Sequence, residues 1–124
     1  MRQEYYDNIK KIIDSTKRGK VEWIKQNPTT LYFTRNNDSR KTYVNIQKVS
    51  EYIQGDYYNE YIFTITDSTG QELIKLSENK FGVVIGDEYA DSELFALLSD
   101  LYESAEDSII QKEIDLFNDL VKDL

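Results

Sequence analysis

Chemistry in this chain has to come from oxygen. It carries 23 Asp and Glu residues and ten tyrosines, with no histidine and no cysteine. That absence removes the commonest general base, the commonest nucleophile at neutral pH and the usual ligands of zinc, copper and haem. Paired acids can still hydrolyse a glycosidic bond, and clustered acids can still hold Mg²⁺ or Ca²⁺. Asp87, Glu88, Asp91 and Glu93 are the cluster that deserves this test. An EF-hand loop wants acids at its first, third and fifth positions followed by a glycine, and these four do not fit. They read as a solvated loop that caps a following helix. The five glycines, Gly19, Gly55, Gly70, Gly82 and Gly86, stand apart, so no dinucleotide or P-loop pattern runs through them. The sequence therefore predicts no catalytic residue, no metal site and no cofactor.

The net charge of −8 is divided unevenly. Residues 1–62 carry eleven Lys and Arg against eight Asp and Glu, whereas residues 63–124 carry four against fifteen. Between positions 87 and 107 stand eight carboxylates, Asp87, Glu88, Asp91, Glu93, Asp100, Glu103, Glu106 and Asp107, without one cation. Such a stretch projects a negative field that attracts basic partners and repels nucleic acid. Tyrosine joins apolar area to a hydroxyl and suits interfaces, and Tyr52, Tyr57, Tyr58, Tyr61 and Tyr89 fall in or beside predicted turns and strand ends. Aromatics in strands usually sit half-buried on the sheet, which is the expectation preferred here to a tyrosine-lined binding patch.

These groups must be positioned by recognisable elements. Tyr5, Tyr6, Ile9, Ile12, Ile13 and Thr16 recur at helical spacing ahead of Gly19, predicting an amphipathic helix over 3–18 with its lysines on the polar face. Val21, Trp23 and Ile24 make a turn or short strand before Asn27-Pro28. From Thr30 the period changes to two. Leu31 and Phe33 alternate with Tyr32 and Thr34, and Asn36-Asn37-Asp38-Ser39 is turn chemistry. Strands follow over 41–48, extended by Tyr52 and Ile53, then over 60–67 and 72–77, giving a four-stranded antiparallel meander. Val83, Val84 and Ile85 add a fifth, edge strand. Leu94, Leu97, Leu98, Leu101, Tyr102 and Ala105 then form the stripe of a helix over 92–105. Ser108 and Gln111 form a capping-box pattern ahead of a second helix over 108–123, whose Ile110, Ile114, Phe117, Val121 and Leu124 alternate in steps of four and three. The two stripes are out of phase, which predicts a bend at 106–108. Intramolecular packing is the preferred account of the second stripe, with a homodimer as the other.

The fold class expected is α+β in one domain, 1–124: an N-terminal helix, a meander of four to five strands, and two C-terminal helices packed on one face of the sheet. A chain of 124 residues buries about two-thirds of its unfolded surface, enough for one core. No apolar run reaches the roughly 18 residues of a membrane span, and Met1-Arg2-Gln3-Glu4-Tyr5-Tyr6 lacks the apolar core of a secretion signal. With no cysteine to pair, the expectation is cytoplasmic.

Three short motifs, Thr16-Lys17-x-Gly19-Lys20-Val21-x-Trp23, Asp67-Ser68-Thr69-Gly70-Gln71-Glu72-Leu73 and Leu98-x-x-Leu101-Tyr102-x-x-Ala105, give the chain a likeness in layout. It resembles small uncharacterised acidic α+β proteins of Gram-positive bacteria, their phages and other mobile elements. The resemblance implies an inhibitor, immunity or accessory protein and brings no catalytic residue with it. The function expected is thus a non-enzymatic interaction module that engages a basic surface on another protein, such as one that binds nucleic acid. Its partner-binding residues are Asp87, Glu88, Tyr89, Asp91, Glu93, Asp100, Glu103, Glu106 and Asp107, with Tyr102 and Phe95 adding contact area where exposed. Two other classes fit the same sequence: a small-molecule-binding domain or carboxylate-based enzyme with a cleft between sheet and helices, and an oligomeric structural protein.

Overall fold

The computed structural model describes residues 3–79 and 92–124. Helix α1, Gln3–Lys17, buries Tyr6, Ile9, Ile13 and Thr16, spaced three and four apart along one side. It ends where Gly19 adopts a φ of 73°. The amide of Lys20 donates to the Ser15 carbonyl at 2.9 Å and that of Gly19 to the Thr16 carbonyl at 3.0 Å. This pair of bonds is the Schellman arrangement, which satisfies carbonyls that the helix leaves open.

Five strands follow in sequence order, each antiparallel to the next: β1 Ile24–Asn27, β2 Thr30–Asn37, β3 Arg40–Ile53, β4 Asp56–Asp67 and β5 Glu72–Asn79. Period-two alternation decides the faces. Leu31 pairs with Ile46, Ile46 with Phe63 and Phe63 with Leu76, so one row of large apolar side chains crosses the sheet from β2 to β5. The opposite face carries Tyr32, Asn45, Thr64 and Lys75 in the next row. Two turns have both central residues at positive φ, Asp38-Ser39 and Gln54-Gly55, the twist that suits a two-residue hairpin. The fifth strand found is β1, at the N-terminal edge. Val83, Val84 and Ile85 lie outside the described residues. The strands β3 and β4 also run past the expected limits of 48 and 60 to the turn at Gln54-Gly55, as Tyr52 and Ile53 foreshadow.

The main correction concerns the C-terminal third, where a single helix, α2, runs from Ser92 to Val121 in place of two helices. At 30 residues it is about 45 Å long. No glycine or proline interrupts Glu106-Asp107-Ser108, so nothing there costs the helix a hydrogen bond. The capping box does not form: Ser108 Oγ bonds back to the Ala105 carbonyl at 2.8 Å, and Gln111 Nε2 reaches forward to Asp115 at 2.9 Å. Leu94, Leu98, Leu101, Tyr102 and Ala105 press inward from the first half of α2 onto the sheet. The helix crosses β2 to β5, and α1 packs chiefly along α2 rather than on the strands.

One hydrogen-bonded chain ties this layer together. The indole Nε1 of Trp23 donates to Thr16 Oγ1 at 2.9 Å, and Thr16 Oγ1 donates to the Ile12 carbonyl at 2.7 Å. Both side chains are buried, and Trp23 sets its ring edge-on to Phe33 at 4.7 Å. Thr16→Val keeps the volume but leaves a buried indole N–H without an acceptor, so it should destabilise the fold by about 1 to 3 kcal/mol, and Thr16→Ser by less. Trp23 is the sole tryptophan, so urea unfolding followed by its fluorescence reads the effect; equal midpoints for Thr16→Val and the unaltered protein would contradict the assignment.

Candidate interaction surface

The residues expected to bind a partner divide into three groups once placed. Asp87, Glu88, Tyr89 and Asp91 lie outside the described residues. Glu93, Glu103, Glu106 and Asp107 are exposed on α2. Asp100 is half-buried and engaged: its Oδ1 stands 3.6 Å from Lys17 Nζ and accepts from Ser104 Oγ at 3.2 Å. It joins α2 to α1 rather than facing a partner. The two aromatics proposed for contact area belong to the core. Tyr102 is 5% exposed, and Phe95 is half-buried with its ring 5.4 Å from that of Tyr61.

A helix turns about 100° per residue. On that wheel Glu93, Glu103 and Asp107 project away from Leu94, Leu98, Leu101 and Ala105, which lie against the sheet. The same outward side continues past residue 109 and changes character. Ile110, Ile114, Phe117 and Val121 follow the carboxylates along it, all exposed, with the exposed Leu120 and Leu124 flanking them. The preferred expectation that this stripe packs inside the chain is overturned. The helix has already passed the sheet: Ile110, Ile114, Phe117 and Val121 point away from the side that meets the core, and Leu116 and Leu120, five turns after Leu98 and Tyr102, share the core-facing side yet are exposed. The phase offset between the stripes was the available signal: on one unbroken helix, stripes on opposite sides cannot both face one sheet.

The remaining polar groups hold the scaffold. Glu22, on the segment before β1, accepts from Lys112 Nζ of α2 at 2.6 Å, and this contact lowers the Glu22 pKa. Asp67 Oδ1 accepts from Thr69 Oγ1 at 2.6 Å, from the Thr69 amide at 2.9 Å and from the Gln71 amide at 3.0 Å, bonds that hold its carboxyl below the usual range. A groove of about 510 Å³ runs between the end of α1 and the middle of α2, lined by Thr16, Val21, Trp23, Ser108 and Lys112 among others. No described Asp or Glu is buried, and among the described residues no three His, Cys, Asp or Glu side chains converge as metal ligands. A raised-pKa carboxylate in a cleft, which an acid-based enzyme would need, is therefore not among the described groups. No described helix is long and apolar enough to cross a membrane.

Two further surfaces were less legible. Tyr52 and Tyr57 pair across the tip of the β3–β4 hairpin with ring centroids 5.0 Å apart, exposed by 64% and 76%. They stand clear of the sheet face on which strand aromatics were expected to be half-buried. On the face away from the helices, Tyr32, Thr34, Tyr43, Asn45, Gln47 and Thr64 are half-buried by one another, which is the arrangement expected of strand aromatics.

No protein-family model, curated protein or solved structure matches the chain. The three motifs that carry the resemblance have structural roles in this fold. The first makes the helix cap and the threonine–tryptophan bond, the second the β4–β5 turn, and the third the inward stripe of α2.

Burial, then the Glu106 carboxylate and Tyr61, raise the Tyr102 pKa above its ordinary 10.0. The stabilisation linked to this shift is fully present below about pH 10. As pH rises further the unfolded chain gives up the proton first, and stability is lost through the folded-state pKa. Ultraviolet titration of the protein against Tyr102→Phe should show one tyrosine ionising above the ordinary value. A difference spectrum that titrates at or below pH 10 would contradict this placement.

Proposed function

We propose that the chain is a non-enzymatic protein-interaction module whose acidic ridge on α2 engages a basic surface of another protein. The observation that supports it is that residues 92–111 of α2 contain no Lys or Arg, while Glu93, Glu103, Glu106 and Asp107 stand exposed along that length. Among the described residues none of these four has an ion-pair partner. Uncompensated charge on a rigid helix steers encounter with a surface of opposite sign and fixes orientation, and it does so from solvent without the cost of burial. The partner's chemistry is that of a Lys- and Arg-rich protein face, such as one that contacts nucleic acid. An inhibitor, immunity or accessory protein of a phage or mobile element, acting in the cytoplasm, is the role that agrees with the resemblance and with the lack of cysteine.

The test is affinity capture from a host lysate by the tagged protein and by Glu103→Lys/Glu106→Lys, each washed at low and then high salt. The expected result is a basic protein retained at low salt and released at high salt, with association to the doubly reversed variant slowed by about tenfold or more. Equal retention by both proteins would overturn the ridge as the binding element.

A further inference from the structure

The second half of α2 calls for an occupant that the acidic ridge does not need. We propose that the exposed apolar stripe from Ile110 to Val121 is the interface with a second copy of this chain, the two helices packing antiparallel about a two-fold axis.

Three observations lead to that occupant. The first is area. Ile110, Ile114, Phe117, Leu120 and Val121 are 39% to 68% exposed. Together they offer on the order of 500 Å² per copy, so that two copies bury about the 1,000 Å² a specific interface needs. A single chain in water seldom leaves so large an apolar patch uncovered. The second is spacing. Ile110, Ile114, Phe117 and Val121 fall at steps of four, three and four, the spacing that keeps one seam against a facing helix. Beside this seam stand the neutral Gln111 and Asn118, the apolar Leu120 and one charge, Glu113. On the far side Lys112 pairs with Glu22, Lys122 with Asp119 at 2.8 Å, and Asp115 accepts from Gln111. A self-complementary contact therefore brings together few like charges despite the net charge of −8.

The third is the charge along the helix, which selects the orientation. A parallel pair would set Glu103 and Asp107 of one copy beside the same residues of the other, a direct repulsion. An antiparallel pair places each acidic ridge beyond the partner's apolar stripe. Its seam then stacks Ile110 on Val121 and Ile114 on Phe117, each contact made twice across the axis. In this register Asp107 falls opposite Leu124 of the other copy, while Glu93, Glu103 and Glu106 lie past the end of its helix at Val121 and remain open to a basic protein.

Sedimentation velocity over micromolar to millimolar concentrations, at more than one salt concentration, tests the association. A monomer–dimer equilibrium is expected, with Phe117→Asp weakening it by about thirtyfold or more. Phe117 is exposed in the single chain, so the variant's circular dichroism and thermal midpoint should match the unaltered protein, which separates loss of pairing from loss of fold. Because the chain has no cysteine, an oxidised equimolar mixture of Ile110→Cys and Val121→Cys reads orientation by intact mass. Disulfides between the two variants support the antiparallel seam, and disulfides formed within either variant alone overturn it. A mass that stays monomeric at every concentration, or a Phe117→Asp dimer as strong as the original, overturns the second copy as occupant. A monomer whose stripe instead holds a different protein would do the same while leaving the acidic ridge as a separate question.

Discussion

The contact between the inward stripe of α2 and the apolar row across the sheet is the constraint from which the other features follow. Leu98, Leu101 and Ala105 are fully buried, and so is Ile46 at the centre of the row that links Leu31, Phe63 and Leu76. Burying a leucine or isoleucine side chain contributes roughly 1.5 to 3 kcal/mol, so a few such residues outweigh any single polar contact in the molecule. The dependence is hierarchical because α1 packs chiefly on α2. Without α2 on the sheet, Ile9 and Ile13 would lose the surface that covers them. The Thr16 to Trp23 bond locks this second layer to the segment entering β1, and the exposed Lys17 to Asp100 pair adds little beyond it.

Much of this was legible from pattern. The meander follows from period-two alternation in residues whose faces cannot be exchanged without exposing the core. Asp38, Ser39 and Gly55 occupy turns where short polar residues and glycine accept positive φ, whereas Gln54, also at positive φ, follows no such rule. The N-terminal helix and its end at Gly19 follow from the same kind of local rule. The C-terminal third was misjudged because two assumptions were combined: that every apolar stripe belongs to the core, and that stripes out of phase imply a bend. Backbone chemistry at 106–108 contains no breaker, and local continuity prevailed over the global inference from phase. The site was read less well than the fold for a related reason. Composition located the acidic segment, but only packing could separate Asp100, engaged with Lys17 and Ser104, from Glu103 and Asp107, which face water.

The uneven charge of the chain is also partly resolved in three dimensions. The basic end of α1 lies along the acidic helix, and Lys112 of α2 reaches back to Glu22 before β1. Arg18 is held by Asp14 one turn earlier on α1. Of the described carboxylates outside any ion pair, Glu93, Glu103, Glu106 and Asp107 lie together along α2. Charge in excess of what the fold neutralises destabilises slightly through self-repulsion, so its concentration on one rigid element is informative where scattered charge would only aid solubility.

The same outward side carries the two properties in succession, acid and then apolar, and each limits the other. An uninterrupted apolar stripe along 30 residues could slide and pair in several registers, inviting open-ended association. Glu103, Glu106 and Asp107 end the stripe abruptly, so that slipping a partner helix by one heptad toward the sheet would bury carboxylates against apolar side chains. The sheet margin at β1 is protected in a comparable manner. This edge strand is only four residues long, carries Lys25 and is followed by Pro28, features that discourage a further strand from adding to it. The long helix is therefore the surface on which the proposed association would be both favoured and bounded, and the charge that bounds it is the charge proposed to meet a basic partner.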